Sequence, residues 1–398
     1  MPQRIALELQ ALVAETRRKY PDVRQSAEHL LAQWQADADR TVSELQSCKD
    51  PSSHALLQMI VLACETRSPK VIQLALSLLQ SSIPLRILPD TSLATVIDTL
   101  HTLLSAPGRT DVDVQLKILQ IVSSLLVTYA NVTSELLSRA LMLCFTLYEH
   151  SRVVVVSSTA AAMLRQNVMV VFEKVHGEDQ SFDAIQNEDA AVNAPLPVGT
   201  AELPSGLVTL FPCAADVYHL LNDLCALADG QPAHFLPLDT LSKPFVLELL
   251  ESVLTTQSSL FQRHPELVYI LRSAACPFLL KALSKPPASF SVYIRVMRLV
   301  VLLLCEYHEE IVLEVEMLLR ALLDTLDEKH ALWQRVLAWE TIRSLSADSA
   351  FLIFVWEQFD GQTEPICVLG RLVGCVQQYS QRLRSTLVVD DALAAALE

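Results

Sequence analysis

Histidines, cysteines and clustered acids are the residues of this 398-residue chain that could do chemistry, and their spacing argues against a reaction. His308, Glu309 and Glu310 stand together. A metal site needs a further ligand at the right spacing, and acids at a helix start favour its dipole instead. His219 and Asp223 lie one turn apart, as surface helix pairs do. Cys367 and Cys375 share a helix face, too far apart along its axis to be bridged, so they read as core packing. The sequence shows no phosphate-cradling glycine loop, no His-Glu-x-x-His, no EF-hand loop and no serine elbow. Catalysis has no visible home. The chain is not expected to be an enzyme, and no cofactor or metal is expected.

The elements that must position these residues are helical. Glycine is scarce, at 8 residues, while 51% of the chain is hydrophobic and helix formers dominate. In the stretch 111–130, one apolar seam is Val114, Ile118, Ile121 and Leu125. A second is Leu119, Val122, Leu126 and Tyr129, with Lys117, Gln120 and Ser124 forming a polar stripe. Two adjacent seams make a helix that touches neighbours on two sides. Val292, Val296, Leu299 and Leu303 repeat the pattern, as do Ile311, Val315, Leu318 and Leu322. Proline or Ser/Thr marks the helix starts at Pro69, Thr91-Ser92, Thr133-Ser134, Pro265 and Pro365. The reading is an all-α, armadillo/HEAT-like α-solenoid of about 16 helices. The β-prone run Arg152–Ser158 has no strand to pair with and reads as an irregular start to a helix.

Residues 177–210 differ. They hold Pro195, Pro197 and Pro204 with acids and no Lys or Arg, which predicts an acidic, flexible loop. It separates a helical domain at 1–176 from a second at 211–388. The closing residues 389–398, ending ALAAALE, read as a tail of the kind cloning leaves.

The net charge of -15 disfavours nucleic acid. One basic patch stands out, Arg17, Arg18, Lys19 and Arg24, interrupted by Glu15 and Asp22. It reads as a solvated helix end, with anionic lipid as its alternative contact. Nine cysteines without a C-x-x-C, and an N-terminus without signal-peptide features, predict buried thiols in a reducing, cytoplasmic setting. The longest apolar runs, such as Leu299–Cys305, fall short of the ~20 residues of a spanning helix. Between Glu309 and Glu328 seven acids face a single cation, Arg320, which is placed to pair with Glu316 one turn back. That face reads as a solvated surface or as a ridge for a basic partner.

The stretch SSTAAAMLRQNVMVVFEKV, 157–175, puts Ala160, Leu164, Val168, Val171, Phe172 and Val175 on one broad face. Its alanines let a neighbouring helix approach closely. Arg165 and Gln166 lie elsewhere on the wheel. Arg165 either pairs with an acid of an adjacent repeat or lines a surface groove with Gln166 and reads a partner.

This stretch resembles the last helix of the DCB domain, the dimerisation and cyclophilin-binding domain at the N-terminus of large Sec-seven-type Arf guanine-nucleotide exchange factors. KVIQLALSLLQ (70–80), LKILQIVSSLL (116–126) and LSRALMLCFTLY (137–148) agree in order and placement. The resemblance is strongest to the Mon-two-like, monensin-sensitivity branch of that family. The second half then falls where the family has its HUS region. The best counterpart of the HUS Asn-Tyr-Asp box is Gln358, Phe359 and Asp360, which departs at two of three positions.

The resemblance implies a scaffold without an exchange domain, peripheral on trans-Golgi and endosomal membranes. It also implies self-association as a dimer, with a Dopey-type protein, a phospholipid flippase and Arf-like small GTPases as partners. Arg165, Gln166, Phe359 and Asp360 are then the candidate protein contacts. Two alternatives stand beside this reading. One is the regulatory N-terminal module of an active Arf exchange factor. The other is an unrelated HEAT-type transport adaptor.

Overall fold

Proline at the first helical position recurs along the chain. In the computed structural model α1 (Pro2–Thr16), α2 (Pro21–Ala36), α3 (Pro51–Glu65) and α4 (Pro69–Ser82) all begin on it. The first-turn amides of a helix have no intrahelical acceptor, so the missing N–H costs little there. α5 (Leu93–Ser105) follows a 3₁₀ turn at Asp90–Ser92, and α6 (Val112–Thr128), α7 (Ser134–His150) and α8 (Val154–Asn187) complete the first run. The structure describes residues 2–36, 51–105, 111–187, 196–285, 289–361, 368–378 and 381. Pro365, Cys367 and the tail 389–398 lie outside them.

Contacts group the chain into two compact units. The first comprises Met1–Glu202, Leu207–Leu220 and His234–Pro237. In it, α1, α4, α6 and α8 pack side by side as one layer, and α2, α3, α5 and α7 form a second. This two-layer stacking of helical hairpins is the arrangement of an α-solenoid, and the fold is all-α. The two seams of α6 explain its place. Val114, Ile118, Leu119, Ile121, Val122, Leu125 and Leu126 are all buried, and the helix packs on α4, α7 and α8 together. Each such side chain contributes roughly 1.5–3 kcal/mol on burial.

The alanine-rich start of α8 is only partly buried. Ala160 is fully buried, Ala161 half-buried and Ala162 exposed, so only one alanine sits at the closest approach. Asn167 sits on the buried face. Its Oδ1 accepts from the Ser123 hydroxyl of α6 at 2.7 Å, and its Nδ2 donates to Cys144 Sγ of α7 at 3.6 Å. One buried amide therefore ties three helices, each of its bonds replacing water that burial removed.

Of the segment that composition predicts to be a loop, the described residues 177–187 and 196–210 include regular structure. α8 runs on through Gly177 to Asn187, and β1 (Gly199–Leu203) pairs with β2 (Gly206–Leu210) in a two-stranded sheet. The physical reason lies in tertiary contacts that composition does not carry. Phe182 packs against Phe211 with ring centroids 4.2 Å apart, and Ala201 and Leu210 turn inward onto Ala215 and Tyr218. Gly206 closes the hairpin at φ 132°, a region open to glycine.

The second unit comprises Leu203–Gly206, Leu221–Ala233 and Leu238–Glu398. α9 (Pro212–Asp229) precedes α10 (Lys243–Thr256), α11 (Ser258–Arg263) and α12 (Pro265–Ile270). A π-turn at Leu271–Ala275 joins α12 to α13 (Cys276–Ser284), and α14 (Phe290–Glu306), α15 (Val312–Asp324), α16 (Leu332–Ser346) and α17 (Ser349–Val355) follow. α10, α14 and α16 form one layer, with α13 packed on α14 and α15 packed on α13. Residues 368–378 are helical.

Two stretches, Val154–Asp183 and Pro265–Ser284, match a spanning helix in length and composition, which run-length alone does not reveal. Each turns an apolar face into its own unit, through Leu164, Val168 and Phe172 in the first and Leu267, Leu271 and Leu279 in the second.

Candidate docking site

The first unit carries a groove of about 450 Å³. One wall is Val198 with Gly199 and Thr200 of β1. The other is the first turn of α7, with Ser134, Glu135 and Ser138. Ala215, Asp216, Tyr218 and His219 of α9 form the floor, and His234 and Phe235 close one end. Local chemistry holds these pieces together. The Ser138 hydroxyl donates to the Phe235 carbonyl at 2.6 Å, and the Phe235 ring stacks near His219 with centroids 6.0 Å apart. The Val198 amide donates to the Leu210 carbonyl at 2.9 Å, extending the hairpin by one rung.

Beneath the floor lies a buried polar cluster. Asp216, 2% exposed, accepts from the Ser134 amide at 2.7 Å, and Ser134 adopts a left-handed φ of 54° to deliver that amide. A non-glycine residue holds this conformation only where its surroundings reward it. Burial pushes the Asp216 carboxyl up to about 7; the Ser134 hydrogen bond and the Lys174 charge pull it down, and Glu178 adds to the rise. Lys174 spends its ammonium on the carbonyls of Tyr129 at 3.0 Å and Val132 at 3.2 Å, and burial lowers its pKa. Glu178 accepts from the Cys213 and Ala214 amides at 3.1 and 3.0 Å, at the N-terminus of α9. This acid, counted in the sequence as loop charge, serves a helix end, where the dipole favours it.

The residues singled out by sequence fall in scattered places. Arg165 is half-buried and Gln166 exposed on α8. Arg17, Arg18 and Lys19 are exposed at the turn after α1, and Arg24 is half-buried and pairs with Glu28 at 2.7 Å. Phe359 and Asp360 close a π-turn, Trp356–Asp360. Phe359 is buried with its ring 6.2 Å from that of Phe354. Asp360 accepts from the amides of Val368, Leu369 and Gly370 at 2.7, 3.0 and 3.3 Å, so its carboxylate caps the helix at 368–378. That engagement leaves it little capacity for a partner.

The residues weighed for chemistry are likewise engaged. His308 Nδ1 lies 3.0 Å from the Cys305 carbonyl, and its ring packs on Phe351 and Phe354. Burial pushes the thiols of Cys64, Cys144, Cys225 and Cys276 up to about 12, far from the thiolate that a nucleophile needs. On the acidic face of α15, Arg320 pairs with Glu316 at 2.6 Å as the spacing predicts, and Glu314 pairs with Arg272 at 3.1 Å. The groove itself escaped sequence reading. Its one local signal is the Pro204-Ser205-Gly206 turn between two short β-prone runs.

Comparison with known proteins adds an independent line. A family model described as Mon2/Sec7/BIG1-like, dimerisation and cyclophilin-binding domain (DCB) matches residues 2–179. One described as Mon2/Sec7/BIG1-like, HUS domain matches residues 213–365. The curated Protein MON2 homolog of Homo sapiens is 30% identical over 394 residues, covering 94% of this chain and 22% of its own length. That of Drosophila melanogaster is 27% identical with 94% and 22% coverage, and Protein MON2 of Saccharomyces cerevisiae 25% identical with 90% and 21%. The chain thus spans about a fifth of the length of these relatives.

Proposed function

The chain belongs to the Mon2/Sec7/BIG1-like family and carries its DCB and HUS domains, and from that premise we propose that it is a non-catalytic scaffold of membrane traffic. It self-associates through its DCB half and docks partners, working in the cytoplasm at the periphery of trans-Golgi and endosomal membranes. A Dopey-type protein, a phospholipid flippase and Arf-like small GTPases are the partners this reading names. The observation that carries it is the DCB–HUS pair itself, built as stacked helical hairpins whose polar groups serve the fold. Inert thiols and acids engaged at helix ends support a docking role over a reaction. Alignment of MON2-named relatives over 94% of the chain favours the branch without an exchange domain.

Membrane fractionation with affinity capture tests this. A tagged copy is expected to travel with trans-Golgi and endosomal membranes and to retain a Dopey-type protein. A copy found evenly in the cytosol, retaining none of the named partners, overturns the reading.

A further inference from the structure

The groove in the first unit has two features that select an occupant. The first is an edge. The sheet has two strands among the described residues, so the side of β1 away from β2 has no strand partner there. Backbone groups along a strand alternate between its two edges, and a free edge is a template for another extended chain. Val198 and the first two residues of β1, Gly199 and Thr200, run along one wall of the groove, each exposed; the Val198 amide is turned to Leu210, so alternation turns the backbone groups of Gly199 to the free edge. The second feature is charge. Glu135 stands exposed on the opposite wall and no Lys or Arg lines the groove, while Asp216 in the floor is buried and already accepts from the Ser134 amide. Of the groups around Asp216, Lys174 keeps its positive charge while donating to two carbonyls, and Glu178 is engaged by the Cys213 and Ala214 amides, so the charge open to an occupant is that of Glu135. His219 and His234 are exposed and add positive charge only when protonated.

We propose that the groove between β1 and the first turn of α7 is a strand-addition site for an extended segment of a partner polypeptide carrying a basic side chain. The segment's main chain pairs with β1. One set of its alternating side chains packs toward Ala215, Tyr218 and Phe235, and a cation meets Glu135. The inference rests on the reading of the chain as a docking module and names the chemistry of one docked partner.

The test uses the whole chain and a fluorescein-labelled octapeptide of alternating valine and lysine, followed by anisotropy. Two companion peptides replace every lysine with glutamate, or carry N-methyl groups on alternate backbone nitrogens in either register. The lysine peptide is expected to bind. The glutamate peptide and at least one N-methyl register are expected to bind about tenfold more weakly or worse. Glu135→Lys is expected to weaken the lysine peptide about tenfold while leaving the circular dichroism and self-association of the chain unchanged. No binding by the lysine peptide overturns the proposal. So does equal binding by both N-methyl registers, which signals charge without strand pairing, or indifference to Glu135→Lys. Fractionation and sedimentation read the scaffold role without the peptide, so failure of the peptide to bind is separable from failure of the scaffold reading.

Discussion

Replacing Asp216 with asparagine should change how stability depends on pH. Burial holds this carboxyl near 7 in the folded chain against an ordinary value of 3.8. Between those values the folded protein keeps a proton that the unfolded chain has released. The group's stabilising contribution is therefore complete below pH about 4, falls by about 1.4 kcal/mol per pH unit, and is gone above pH about 7. Across the measurable window from pH 5 to pH 8 the loss is about 2 to 3 kcal/mol. Asparagine keeps an acceptor for the Ser134 amide but cannot titrate. Urea unfolding of both proteins at each pH, read by helical circular dichroism, gives the difference directly. Wild type should be more stable relative to Asp216→Asn at pH 5 than at pH 8 by that amount. A difference that stays constant across the window would refute the claim that burial, rather than the Lys174 charge, sets this carboxyl.

Three further outcomes follow from the packing. Asn167→Ala removes a buried amide that ties α6, α7 and α8 and leaves the Ser123 hydroxyl only the weak sulfur acceptor of Met163 at 3.3 Å. It should cost about 2–3 kcal/mol, visible as a lowered unfolding midpoint. Asp360→Ala strips the cap from three amides of the helix at 368–378; it should cost about 1 kcal/mol, with faster amide exchange confined to that helix. The thiols of Cys64, Cys144 and Cys225 should ignore a disulfide reagent at pH 8 in the native chain and react once it is unfolded.

What the sequence reveals and what it hides divides along sequence separation. The two seams of α6, the prolines that start helices and the Glu316–Arg320 pair are repeats and offsets within one or two turns, so periodicity finds them. The groove depends on contacts of another kind. The Ser134 amide meets Asp216, and the Ser138 hydroxyl meets Phe235, across most of a domain of intervening chain. Asn167 hides because a single polar residue inside an apolar stretch looks the same whether it is wet or buried; only the fold brings Ser123 and Cys144 to it. Asp360 attracted notice by resemblance, yet its geometry is that of a cap for a helix eight residues on. Within 177–210, unopposed acids and prolines describe a chain without a core, while the described residues Glu178, Phe182 and Ala201 find theirs on α9 and its approach.

Self-association is the claim most exposed to a single measurement. At the start of α8, Val154 and Val155 are 76% and 61% exposed beside Val153, an aliphatic cluster on the DCB half suited to an interface between copies. Sedimentation velocity of the whole chain, from micromolar to tens of micromolar, reads it directly. The weight-average mass should climb from 44.1 kDa toward twice that value, and the Val154→Glu, Val155→Glu double variant should climb less at every concentration. A mass fixed at that of one chain throughout the series would contradict the account.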